Sequence, residues 1–142
     1  MERRDGYILE VASRPIGGLC ARALRFDGGM PLEELILRHA LGENVTNVNL
    51  ADGASGVMMI PIPKGGIYES VAGVEEARAV AGIEDVIITA KEGQEILPLP
   101  EGATYLGFIF ARGASAAEVE DALREAHGRL RFEIATTLRV RM

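Results

Sequence analysis

The chain has 142 residues, 48% of them hydrophobic and 25% charged, with a formal net charge of −6, the make-up of one globular domain long enough to bury a core. The acidic balance, with no basic stripe to offset it, argues against a nucleic-acid partner, and no apolar run nears the roughly 20 residues of a membrane span. The single cysteine, Cys20, leaves no internal disulfide framework and fits a reducing cytoplasm, as does an opening MERRDG that lacks a signal-peptide apolar stretch.

Tyr7 to Ser13 is apolar and β-prone, interrupted by Glu10. In a strand, Leu9, Val11 and Ser13 share one face and Ile8, Glu10 and Ala12 the other. A carboxylate there is costly to bury without a cation or hydrogen-bond donors. Arg14 follows four residues later, at the strand's end. Pro15 then favours a turn, and Gly17-Gly18 let backbone approach a ligand or another strand closely. Carboxylate, guanidinium and bare backbone amides in one strand–turn–helix suit a metal-bound phosphate.

Residues 16–26 read as a helix, with Leu19, Cys20, Ala23 and Leu24 on one face and Arg22 and Arg25 towards water. Asp27-Gly28-Gly29 breaks it. Pro31 suits a helix's first turn, with Glu33 and Glu34 at its positive end. Leu32, Leu35, Ile36 and Leu41 trace a helical stripe that ends at Gly42. Residues 43–55 are polar and rich in Asn and read as a connection. They mark a boundary between a first unit, 1–50, and a second, 51–142.

From Gly56 the pattern changes. The strand-like runs 57–62 and 67–72, with a turn at Lys64-Gly65-Gly66, suggest a hairpin. A short helix through Glu75, Glu76 and Ala79 is stopped by Gly82. Strand 83–89 and a turn at Lys91-Glu92-Gly93 lead to 94–97, which reads as pairing back. After a bend at Pro98–Gly102, Tyr105 to Ala111 is apolar enough to lie centrally in a sheet. Ser115 and Glu118 have capping-box spacing, and Val119, Ala122, Leu123, Ala126 and Leu130 repeat at helical spacing over 115–130. Residues 131–136 return as a strand, giving β-α-β around that helix. The fold class is α+β: a mostly antiparallel or mixed sheet with helices mainly on one face.

ILEVASRPIGG resembles the last catalytic strand and following turn of ATP-grasp ligases, in which a metal-binding Glu precedes an Arg by four residues. Further along, LRHALG, GVMMIPIPKGGIYESVAG, YLGFIFARG and VEDALREAHGRLRF are similar to the carboxy-terminal subdomain of the branch that includes L-amino acid ligases. The resemblance implies ATP-dependent ligation: a carboxylate becomes an acyl phosphate, and an amine then displaces the phosphate. By residue, it implies that Glu10 holds Mg²⁺ bridging ATP phosphates and that Arg14 contacts the transferred phosphate or the substrate carboxylate; the Gly17-Gly18 turn beside them reads as facing a phosphate of the nucleotide. Mg²⁺ takes hard oxygen ligands and guanidinium matches phosphate oxygens, so the types fit.

The chain departs from the family in three ways. Ala12 stands where many members carry a further metal-ligating Asn. The second metal carboxylate, about a dozen residues before Glu10, would lie upstream of Met1. The nucleotide-clamping lysines and adenine pocket have no counterpart. The resemblance therefore implies that residues 1–50 end the catalytic subdomain and 51–142 form the carboxy-terminal subdomain. The partner it implies is an amino-terminal ATP-grasp portion, in cis or in trans.

Plainer readings stand beside these. Glu10 also suits an exposed sheet edge, and Arg14 a carbonyl cap or a partner of Glu10. Gly17-Gly18 lacks the spacing of a P-loop and suits a plain turn. Met58-Met59 reads as core filling, with an apolar pocket as the alternative. His39 and His127 have no ligand at metal spacing. Cys20 reads as a small packed residue. Arg112-Gly113, ending the central strand, suggests a cleft. Three functions remain: a carboxy-terminal ligase portion inactive alone, a non-catalytic α+β module acting in assembly or partner binding, and a small-molecule sensor using a cleft beside the central strand. Unpaired strand edges make a homodimer plausible.

Overall fold

The computed structural model describes residues 17–136. The strand expected over 7–13, with Glu10 and Arg14, lies outside the described residues. A 3-10 turn at Cys20–Ala23 leads into β1 (Arg25–Phe26), a second turn at Asp27–Gly29, β2 (Met30–Pro31) and α1 (Leu32–Ala40). There follow β3 (Ala54–Ile60), β4 (Gly66–Ala72), α2 (Val74–Arg78), β5 (Ile83–Ile88), β6 (Glu95–Ile96), β7 (Gly107–Gly113), α3 (Ala116–Arg129) and β8 (Arg131–Ala135).

The fold is α+β, as expected, and among the described residues every strand pairing is antiparallel. The strands form a β1-β2 pair and two three-stranded sheets, β3-β7-β5 and β6-β4-β8. This division corrects three expectations of pairing. β3 and β4 do not make a hairpin: five residues containing Pro61 and Pro63 carry the chain from one sheet to the other, and proline offers no N–H to a ladder. β6 pairs with the start of β4, not with β5. α3 links strands of different sheets, so β7-α3-β8 is a connection between layers, not a crossover within one sheet.

The region expected as a helix over 16–26 is a fourth correction. Its described residues hold the 3-10 turn and β1, with Leu24 already extended at ψ 127°. Leu50 bridges to Phe26, and Ala51 N–H donates to the Arg25 carbonyl, so the Asn-rich connection is tied to β1.

α3 forms where capping and periodicity coincide. The Ser115 hydroxyl accepts the Glu118 N–H at 3.3 Å, while the Glu118 carboxylate reaches back to the Ala114 N–H at 3.0 Å. Its stripe of Val119, Ala122, Leu123 and Ala126 is buried against β3 and β7, and α2 packs beside it against β5. Ile60, Val86, Leu106 and Ile109 are fully buried, and Tyr68, Ile96 and Ile134 bring the second sheet into the same core. Gly56 is required where α3 crosses β3: a Cβ there would stand 2.7 Å from Val119 Cγ1. α1 contributes no buried residue; it rests on β2, and its Arg38 bonds Glu34 at 2.7 Å.

Candidate functional site

Alternation in the central sheet gives it two apolar faces. Met58 lies opposite Ile109, which in turn lies opposite Val86, and it packs against the core. Met59 lies opposite Phe108 on the other face, where it is 41% exposed. Phe110 shares that outer face, opposite Val57 and Asp85. Phe108 and Phe110 are nevertheless 8% and 3% exposed, so something covers them. Part of the cover is the segment that begins at Gly17. Gly18, at φ +63°, brings its backbone against the Phe108 ring, a conformation that glycine adopts without strain. Ala21 is buried, and the Arg22 guanidinium lies over Phe110 and bonds Asp85 at 3.2 Å.

Where that cover stops, a cavity of about 410 Å³ opens. Among the described residues Gly17, Gly18, Met59, Thr89, Thr104, Tyr105 and Phe108 line it, with Ala103. Among the described residues no charged side chain lines it. Its polar groups are hydroxyls and backbone, and the Thr89 hydroxyl is already directed to the Tyr105 carbonyl at 3.4 Å. The methionine doublet is thereby split: Met58 fills core and Met59 faces the cavity.

Of the residues expected at a site, Gly17 and Gly18 are placed here, in an exposed turn beside Phe108. Glu10 and Arg14 lie outside the described residues. Among the described residues no three His, Cys, Asp or Glu side chains gather to hold a metal ion. The glycine pair offers no side-chain ligand, so the described residues do not by themselves fit a Mg²⁺ site.

Arg112 and Gly113 do line a cleft, a second cavity of about 350 Å³ shared with Gly82, Glu118, Asp121 and Glu125. Arg112 is engaged there, its Nε donating to Glu84 at 2.9 Å, while Nη2 is buried and meets no acceptor among the described residues. In the core, burial raises the Tyr68 phenol above its ordinary pKa, and the Glu92 carboxylate adds to the shift. Cys20 is a free, half-buried thiol.

Residues 58–135, more than half of the chain, match the family described as L-amino acid ligase C-terminal domain 2. The chain belongs to that family. It corresponds to the carboxy-terminal part of an ATP-grasp ligase. Among solved structures, an L-amino acid ligase from Bacillus licheniformis superposes with TM-score 0.64 at 27% identity, over 76% of this chain and 27% of that one. A phosphoribosylglycinamide synthetase from Anaerococcus prevotii superposes with TM-score 0.55 at 16% identity, over 72% of this chain and 27% of its own, and shows the shared fold alone. The chain thus spans about a quarter of the length of either protein. No curated protein matches it. Among the described residues no helix is long and apolar enough to cross a membrane.

Proposed function

We propose that this chain supplies the carboxy-terminal portion of an ATP-dependent carboxylate–amine ligase. The carrying observation is the family match over residues 58–135, preceded in sequence by Glu10 and Arg14 at the spacing of the last catalytic strand. In this reading residues 1–50 end the catalytic subdomain and 51–142 form the carboxy-terminal one. The nucleotide clamp comes from a further ATP-grasp portion, in cis or in trans, and the compartment is the reducing cytoplasm. In the reaction the γ-phosphoryl group passes to a carboxylate oxygen and ADP leaves. The amine nitrogen then bonds to the acyl carbon, inorganic phosphate leaves, and the nitrogen gives up a proton.

The roles proposed for this chain are narrow. Glu10 would hold Mg²⁺, whose positive charge offsets that of the phosphates. Arg14 orients the acyl phosphate or the carboxylate it forms from, because a guanidinium fork matches two oxygens at once. Gly17 and Gly18 lead the chain from Arg14 on to the central sheet. Titration of Mg²⁺·ATP into the chain and its Glu10→Ala variant tests the reading. Weak binding that the variant loses is expected, without ATP hydrolysis; equal binding by both proteins contradicts the role of Glu10.

A non-catalytic module acting in assembly is the second reading. It is favoured by α1, whose Ile36 and Leu37 are 43% and 63% exposed, with Leu41 just beyond at 80%. Sedimentation of the chain alone separates the two: a stable self-assembly buried through α1 supports this alternative.

A further inference from the structure

We propose that the outer edge of β8 docks a second copy of this chain, strand to strand, about a twofold axis at Phe132. The proposal is independent of the ligase reading. The direction of the backbone groups supplies the first argument. Tyr68 in β4 turns both of its backbone groups to the 93–94 turn: its N–H donates to the Gln94 carbonyl and its carbonyl accepts the Gly93 N–H, each at 2.9 Å. Its partner across the other side of β4 is Ile134, which therefore takes no ladder bond from it. In an antiparallel pair such a residue directs its own N–H and C=O to the opposite edge. The register shift at Tyr68/Ser70 skips a residue of β4 and none of β8, so alternation gives Phe132 the same direction as Ile134. The residue after Ile134 agrees, since a Cβ on Gly66 in β4 would collide with the Ala135 carbonyl oxygen. Among the described residues β8 pairs with β4 alone.

Charge complementarity names the occupant. Arg131 and Glu133 are exposed on the outer face of the sheet, where the Ser70 hydroxyl donates to Glu133 Oε2 at 2.9 Å, while Phe132 and Ile134 pack towards the core. A twofold axis at Glu133 would set that carboxylate against its own copy, and one at Arg131 would do the same to the guanidinium. Like charges directly opposite destabilise a sheet. An axis at Phe132 instead sets Arg131 of each copy against Glu133 of the other, with Cα atoms about 4.5 Å apart. The two Phe132 residues then exchange backbone bonds and lie side by side on the inner face. The interface is isologous, so it closes at two copies. The other edges are less suited. The Arg78 guanidinium donates to the Val86 carbonyl at 2.8 Å and a register shift between Ile83 and Asp85 interrupts β5. β6 has two residues, and β3 carries no charge that would choose a register.

The test is sedimentation equilibrium of the full 142-residue chain over a concentration series, with amide exchange read by nuclear magnetic resonance. A reversible dimer is expected, in which the Phe132 and Ile134 amides exchange more slowly as concentration rises and the Tyr68 amide does not change. Arg131→Glu and Glu133→Arg should each weaken the dimer by about tenfold or more, because each sets like charges opposite one another. An equimolar mixture of the two variants should recover it, since every pair across the axis is then unlike. That recovery also shows that both variants are folded. A chain monomeric at every concentration overturns the proposal, as does a dimer that neither variant weakens. A dimer lost in Leu37→Glu and kept in Arg131→Glu belongs to α1 and equally overturns it. Phe132 and Ile134 amides protected to the same degree at all concentrations would mean that another segment of the same chain takes the edge, and would count against a second copy.

Discussion

The Arg22 guanidinium carbon stands 4.7 Å from the centroid of the Phe110 ring, and its Nη2 reaches Asp85 at 3.2 Å on the neighbouring strand. One side chain thus fastens the segment that follows Gly17-Gly18 to two strands of the central sheet. Both partners of the ion pair are partly exposed, at 42% and 33%, which limits its worth. Arg22→Ala is expected to cost about 1 kcal/mol in urea unfolding, mostly from the lost cation–π contact. Exchange of the Ala21 to Leu24 amides should speed up more than that of the core strands. Uniform acceleration would contradict local fastening.

Gly56 and Val119 form a pair with no room between them, since an added Cβ would lie 2.7 Å from Val119 Cγ1. Gly56→Ala is expected to destabilise the chain by about 1–3 kcal/mol through overpacking. Combining it with Val119→Ala should recover part of that loss, a favourable coupling readable in a double-mutant cycle. Strictly additive costs would mean that α3 shifts freely over β3.

The cap of α3 gives a third test. Ser115→Ala removes the acceptor of the Glu118 N–H and is expected to cost about 1 kcal/mol in thermal or chemical unfolding. Ser115→Asp, which restores an acceptor at the positive helix end, should recover most of it.

Tyr68 makes stability depend on pH at the alkaline end. Its phenol is raised in the folded chain, chiefly by burial, so the unfolded chain releases that proton first. The contribution is fully present below the unfolded value of about 10 and is lost as pH rises through the higher folded value. Stability is therefore expected to fall above about pH 10, and more steeply than in Tyr68→Phe. Parallel profiles for the two proteins would contradict the assignment.

Elements whose signals were local and redundant were legible in the sequence. α3 announced itself by a cap and an apolar period that agree, and β7 by an unbroken apolar run that suits a strand covered on both faces. Pairing was not legible, because periodicity identifies a strand and not its partner. The runs that became β3 and β4 are adjacent in sequence yet lie in separate sheets. Residues 19–24 carry helical spacing, but Arg22 is spent on Phe110 and Asp85 and Ala21 is buried, and this tertiary contact outweighs a short helix's marginal propensity. Of the site, the glycine pair and the Met58-Met59 doublet were visible. Thr89 and Tyr105 were not, since residues brought together from distant strands leave no spacing to read.

The most direct test of the ligase account is a chimaera in which this chain replaces the matching carboxy-terminal portion of the Bacillus licheniformis L-amino acid ligase. The account predicts Mg²⁺- and ATP-dependent joining of two amino acids by the chimaera, falling at least 100-fold in Glu10→Ala and Arg14→Ala, on the scale of lost electrostatic stabilisation. A folded chimaera that ligates equally well with either substitution would contradict it.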